Sequence, residues 1–168
     1  MPSDIELIIQ ALDDAKVRYL IVGGLAVVLH GHLRTTADLD LVVQLQRDNV
    51  LRAVEALARL GYRPRAPVKA EALADAAARE SWIRDKNLTV FSMWSAAHPT
   101  LEVDLLVREP FDFDAVYRRA LRVPLGHASA TVIGFDDLIA MKKAVGRHKD
   151  VEDVRALESL RPDDGPSR

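Results

Sequence analysis

The chain reads as α/β (α+β in its layering), with a mixed β-sheet of about four to five strands flanked by helices. Three stretches predict this. Arg18–Val22 is a short apolar run rich in β-formers that stops at Gly23-Gly24. Asp38–Val43 alternates and then runs apolar. Leu88–Trp94 and Leu101–Val107 are both strand-like and are separated by a turn around His98-Pro99, the pattern of a hairpin. Helical periodicity fills the intervals, and such an order gives a sheet with covering helices.

The remaining elements follow in order. Ser3 and Glu6 have the spacing of a capping box, and Ile5, Ile8, Ile9 and Leu12 recur at helical intervals, so residues 4–15 read as a helix. Leu25–Leu29 begins a helix just after the glycines. Asp48 caps a helix that turns Val50, Leu51, Val54, Leu57 and Leu60 inward and ends at Gly61. Pro64 and Pro67 mark a loop, and the Ala-rich stretch Lys69–Arg79 reads as a surface helix. Phe113–Leu121 reads as a short helix and Ala130–Ile133 as an extended segment. Asp136 caps a helix to about Val145, and Val151–Leu160 forms another. No repeat or low-complexity tract interrupts the chain. Residues 1–160 therefore read as one domain, with a core over 1–110 and a helical part over 111–160, and the Pro/Gly/polar residues 161–168 as a flexible tail.

Composition narrows the function classes. At 168 residues, 49% apolar and 29% charged, the chain is an ordinary globular sequence. No apolar run approaches the roughly 20 residues that span a bilayer. The start, Met-Pro-Ser-Asp-Ile-Glu, has neither the basic residues nor the apolar core of a secretory signal. The absence of cysteine excludes disulfides, thiolate zinc sites and thiol catalysis, and a cytoplasmic protein without a membrane partner is expected. The net charge of -2 argues against a nucleic-acid coat over the whole surface. Residues 118–149 nevertheless carry Arg118, Arg119, Arg122, Lys142, Lys143, Arg147 and Lys149 against Asp136 and Asp137. That segment is either a solvated helix face or a positive wall toward an anionic ligand.

Asp38 and Asp40 are two apart, so on a strand they point to one face while Leu39 and Leu41 point to the other. Two carboxylates so close repel unless a cation lies between them, and Mg²⁺ favours carboxylates supplemented by water and phosphate oxygens. Solvent-facing acids on an edge strand are the plainer alternative. Gly23-Gly24 at a strand-to-helix junction is either a tight turn or a place where backbone approaches a phosphate. In Leu101–Val107, Glu102 and Asp104 share a face opposite Val103, Leu105 and Val107. Asp104, the more central, is costly in an apolar strand unless paired or metal-bound, whereas Glu102 reads as a solvated strand end.

Gly-Gly, then Arg34-x-Thr36-x-Asp38-x-Asp40, then a distant strand aspartate resembles the nucleotidyltransferases of the DNA polymerase β superfamily. The stretch Asp137–Val154 (DLIAMKKAVGRHKDVEDV) resembles the C-terminal lysine and aspartate motifs of AbiEii-like toxin nucleotidyltransferases and related small nucleotidyltransferase-like proteins. The resemblance leaves residues 62–95 unmatched. It implies a minimal polymerase β-type fold with C-terminal helices and an enzyme that moves NMP from an NTP to an acceptor hydroxyl. In that picture Asp38 and Asp40 hold two Mg²⁺ ions, and Asp104 shares the one that activates the hydroxyl. Gly23 and Gly24 lie under the triphosphate, Lys142 contacts the nucleotide, and Asp150 matches the acid after Arg-x-Lys. Many members have Gly-Ser, and the serine at the position of Gly24 contacts phosphate. Nucleotidyl transfer suits such a set, since two metals about 3.5–4 Å apart stabilise the attacking and leaving oxygens of an in-line displacement.

Other residues carry paired readings. Arg34 either contacts phosphate or fixes its loop by bonding Asp38, and Thr36 either orients an aspartate or caps the loop. Lys142 and Lys143 project about 100° apart on a helix, so one faces the site while the other is solvated. Arg147, Lys149, Asp150 and Asp153 have the spacing of a salt-bridge cluster. His30 and His32 lack the further ligands of a zinc pattern. Trp82, Trp94 and Phe135 either stack on a base or belong to the core. For the acceptor, the AbiEii-like resemblance implies RNA, tRNA included, with an antitoxin or toxin partner protein. Transfer to an antibiotic or to a protein, and a degenerate domain that binds nucleotide without turnover, are the alternatives.

Overall fold

Burial along the strands, alternating in some and continuous in others, fixes how the sheet is covered. In a computed structural model, which describes residues 1–161, the order is α1 (Asp4–Asp14), β1 (Tyr19–Val22), α2 (Gly23–Leu29), β2 (Asp38–Val43), α3 (Arg47–Arg59), β3 (Arg63–Pro64), a 3-10 turn (Ala70–Ala74), α4 (Ala76–Lys86), β4 (Val90–Trp94), β5 (Glu102–Leu106), α5 (Phe113–Arg118), β6 (Leu121–Leu125), β7 (Ala128–Val132), α6 (Phe135–Val145) and α7 (His148–Ser159). The tail expected over 161–168 lies outside the described residues from position 162 onward. The strands form one mixed sheet in the order β3-β4-β5-β2-β1-β7-β6.

The sheet has seven strands where four to five were expected. The two unforeseen ones, β3 and β6, are its edges, and each contains a proline (Pro64, Pro124). Proline cannot donate to a ladder, so it weakens a strand reading and is tolerated at an edge. The predicted β4–β5 hairpin is present, with Val90 opposite Leu106 and Ser92 opposite Asp104. The Ala-rich helix expected over Lys69–Arg79 is broken at Asp75, whose carboxylate accepts the Ala77 N–H at 2.9 Å and caps α4. Two caps also differ from expectation. Helix α3 starts at Arg47, with Asp48 in its first turn, and α6 starts after Gly134, with Asp136 and Asp137 in its first turn. The capping box at Ser3 and Glu6 is formed.

Leu39, Leu41, Val103, Leu105, Phe91 and Met93 are buried on one face of the sheet. Helices α1 (Ile8, Ile9, Leu12) and α3 (Val50, Val54, Leu57) contribute to the same core and pack on each other. Each such side chain contributes about 1.5–3 kcal/mol through burial. The intervening residues Asp38 and Asp40 of β2 and those of β4 and β5 are at least partly exposed, and this open face is where the acids stand. No helix among the described residues is long and apolar enough to cross a membrane.

Candidate active site

Parallel pairing of β2 with β5 brings the predicted acids together. Asp40 lies opposite Asp104, and Asp38 opposite Glu102, on strands about 4.8 Å apart. The period of two does the rest, turning all four carboxylates to the open face while their neighbours fill the core. Asp38 is exposed, and Asp40, Glu102 and Asp104 are half-buried. From β4, the Ser92 hydroxyl donates to Asp104 Oδ1 at 2.5 Å. Glu102, expected as a solvated strand end, does begin β5 but is half-buried and held by Arg65 through two bonds of 2.7 and 2.9 Å.

The electrostatics of this cluster are those of uncompensated negative charge. Burial pushes the Asp40 carboxyl up to about 6, and the nearby Asp104 and Asp38 carboxylates push the same way, against the attraction of Lys149 and Lys142. Asp104 is also raised, by burial first, while the Ser92 hydrogen bond opposes the shift and Asp38 and Glu102 add to it. A set of hard carboxylate oxygens, crowded enough to resist full ionisation, fits a divalent cation such as Mg²⁺. Among the described residues no three acidic or histidine side chains are closed around a single point, so the cluster is open rather than a finished cage.

Gly23 sits against these acids, and Gly24 against the loop that leads to Asp38. Gly23 has φ +65°, and a Cβ there would lie 2.0 Å from Asp40 Oδ2. Only glycine lets the chain turn from β1 into α2 so close to the carboxylate. The helix begins at Gly23 itself rather than after the pair. At Gly24 the space for a side chain is already taken, for a Cβ there would lie 2.8 Å from Thr36 Oγ1 and 3.4 Å from Arg34 Cζ. A serine at this position is excluded unless Thr36 moves. The Thr36 hydroxyl donates to the Asp38 carbonyl at 3.3 Å, which is the loop-capping reading.

The C-terminal residues form a buried ion-pair network. Lys142 is 6% exposed and reaches Asp153 Oδ2 at 2.9 Å and Asp150 Oδ1 at 3.3 Å. Arg34 donates to the same Asp153 oxygen at 2.6 Å, so it is tied to α7 and not to Asp38. Asp150 accepts both the backbone N–H and the guanidinium of Arg147, at 3.2 and 2.8 Å. Burial alone would raise the Asp150 carboxyl, but Arg147 and Lys142 hold it below the usual range. The structure thus places Lys142 and Asp150 behind the acid cluster, with the Lys142 charge felt at Asp40. Lys143 is exposed and paired with Glu158, the solvated partner that the helical spacing predicts.

Sequence reading missed Ser92, whose role exists only through cross-strand register. It also assigned Lys149 to a helix–helix salt bridge, whereas this exposed lysine forms no ion pair among the described residues and its charge acts on Asp40. His30 Nε2 lies 2.7 Å from the Ile133 carbonyl and its ring stands edge-on to Phe135, a packing role. Of the three candidate stacking aromatics, Trp82 packs on Phe91 and Phe135 beneath Arg161, while Trp94 is 42% exposed on the open face.

A family model described as "Nucleotidyltransferase of unknown function (DUF6036)" matches residues 2–161. The chain belongs to this nucleotidyltransferase family. It is therefore an enzyme of the nucleotidyltransferase type, in agreement with the broader part of the sequence resemblance. Solved structures share the fold. The lincosamide antibiotic adenylyltransferase LnuA, in its lincomycin-bound crystal structure, is similar with a TM-score of 0.58 at 15% identity, covering 95% of this chain and 99% of that one. The antibiotic-resistance factor ANT(2'')-Ia, in solution, is similar with a TM-score of 0.57 at 15% identity, covering 94% and 82%. An antigenic nucleotidyltransferase-like protein from Paracoccidioides brasiliensis gives a TM-score of 0.53 at 17% identity, covering 95% and 78%. No curated protein sequence matches the chain.

Proposed function

We propose that the protein transfers NMP from an NTP to an acceptor hydroxyl in a Mg²⁺-dependent reaction at Asp38, Asp40 and Asp104. The observation that carries this reading is the in-register pair Asp40 and Asp104, with Asp40 raised to about 6 against the Gly23 turn. Carboxylates raised by burial and mutual repulsion cluster at functional sites, and a bound cation would relieve the repulsion. Asp38, Asp40 and Asp104 would hold one or two Mg²⁺ ions. Bound there, the metal supplies charge neutralisation and lowers the pKa of a coordinated hydroxyl.

The chain's own residues do the rest by positioning. Gly23 lets the backbone turn against Asp40, and Gly24 leaves room for Thr36 and Arg34, so the start of α2 and the Arg34 guanidinium can face an NTP phosphate beside the carboxylates. Thr36 fixes the loop that carries Asp38. Ser92 orients Asp104 and keeps it ionised at lower pH. Lys142, Asp150 and Asp153 lock α6 to α7 and hold the Arg34 guanidinium beside Gly24, where it meets phosphate charge. Positioning and charge neutralisation provide most of the rate in such transfers.

For the acceptor, the AbiEii-like motifs favour an RNA end, tRNA included, in the cytoplasm and alongside a cognate antitoxin. A second reading, transfer to a hydroxyl of an antibiotic, has the support of the fold shared with LnuA and ANT(2'')-Ia. Labelled NTP offered with total RNA, with a panel of hydroxylated antibiotics and with protein separates these. Label entering RNA supports the first reading, and label entering only a drug or a protein replaces it. Failure of the wild-type protein to transfer label to any acceptor overturns the enzyme site.

A further inference from the structure

From Trp94 and its neighbours we infer a platform for the unpaired end of a single-stranded RNA, which places the acceptor on the β4 side of the acid cluster. This rests on the nucleotidyl-transfer reading and names its acceptor. Trp94 is the one large aromatic of the open face among the described residues, and no helix covers it. It stands two residues from Ser92 on the same strand, about 7 Å away, and Ser92 holds Asp104. Arg63 lies directly across from it on β3 and is exposed. The Arg65 guanidinium sits 5.8 Å from its ring centroid, fixed there by the two bonds to Glu102.

An aromatic face flanked by cations is what holds an unpaired base and its phosphates. Arg63 and Lys69 are exposed cations on this side, while Arg65 is paired with Glu102. These two cations can meet the phosphates of a polynucleotide. A duplex exposes a base face only at its terminal pair, whereas an unpaired end offers both faces of each base to Trp94. A nucleotide stacked on Trp94 extends its ribose toward Asp104, while the Gly23 turn lies at the other side of the cluster, against Asp40. The two substrates then meet across the carboxylates.

The test is fluorescence anisotropy of a labelled single-stranded RNA octamer with a free 3′ hydroxyl, in EDTA and without NTP, so that binding does not pass through the metal site. Trp94→Ala should weaken binding about 5- to 150-fold, and Trp94→Phe should retain most of the affinity. Arg63→Ala should reduce the salt slope by about 0.7. Binding should also quench Trp94 emission, leaving Trp82, packed on Phe91, as the unresponsive background. Unchanged affinity in Trp94→Ala, equal affinity for a blunt duplex, or no saturable binding by the wild type overturns the assignment. So does loss of drug modification in Trp94→Ala with RNA binding intact. If RNA binds through Trp94 but no pyrophosphate is released with NTP and Mg²⁺, the transfer reading fails while the platform stands.

Discussion

Replacing Asp40 with asparagine keeps the shape of the side chain beside Gly23 and removes the charge that the cluster resists. A carboxyl raised from an ordinary 3.8 to about 6 disfavours the ionised folded state by about 3 kcal/mol at neutral pH, at 1.36 kcal/mol per pH unit. The sign follows from linkage. Because the folded value lies above the unfolded one, the ionised group destabilises the protein above pH 6 and has no effect below about pH 4, where it is protonated in both states. In EDTA, Asp40→Asn should therefore melt about 6–12 °C higher than the wild type at pH 7.5, at roughly 2–4 °C per kcal/mol for a chain of this size. The gap should close as pH falls toward 4.5. Millimolar Mg²⁺ should raise the melting temperature of the wild type and leave the variant unmoved. Scanning fluorimetry across this pH range measures all three. A variant that melts below the wild type at pH 7.5, or a gap that does not depend on pH, would refute the reasoning that Asp40 is an uncompensated charge.

Three other substitutions probe separate parts of the structure. Gly23→Ala should cost more than ~1 kcal/mol and abolish turnover, because φ is +65° and the new Cβ falls on the Asp40 carboxylate; melting and pyrophosphate release check it. Lys142→Met should destabilise by about 3–5 kcal/mol in urea unfolding, since it strips a partner from the buried Asp150 and Asp153 carboxylates. Ser92→Ala removes the bond that favours ionised Asp104, so the acid limb of the pH–rate profile should move upward by about half to one pH unit.

The central part of the fold was legible because each element there obeys one period. Asp38–Val43 alternates and then runs apolar, as a strand that is open on one side at its start and buried on both at its end, and its predicted limits match β2. Asp104 could be chosen over Glu102 from its central place in an apolar run, and the register sets it beside Asp40 and sets Glu102 beside Asp38. What was hidden lay where local signals conflict with tertiary pairing. Pro64 and Pro124 argue against strands, yet both sit on edges that need no donor there. Lys142 reads as a lysine that contacts the nucleotide, and only the packing of α6 on α7 shows it enclosed between two aspartates. Arg34 forms its pair with Asp153, from the opposite end of the sequence, which no spacing rule reveals. Thr36 filling the space beside Gly24 likewise requires coordinates, and it gives the Gly-Gly pair a steric reason.

Pyrophosphate release from an NTP mixture, with Mg²⁺ and RNA bearing free 3′ hydroxyls, puts the three-carboxylate site to its sharpest trial. Release should require the metal and should fall by at least about 10²–10³ in Asp38→Ala and in Asp104→Asn alike, the loss seen when one preorganised charge-stabilising group is removed. Release that continues at the wild-type rate in Asp104→Asn, or that proceeds unchanged in EDTA, would contradict a site built on Asp38, Asp40 and Asp104.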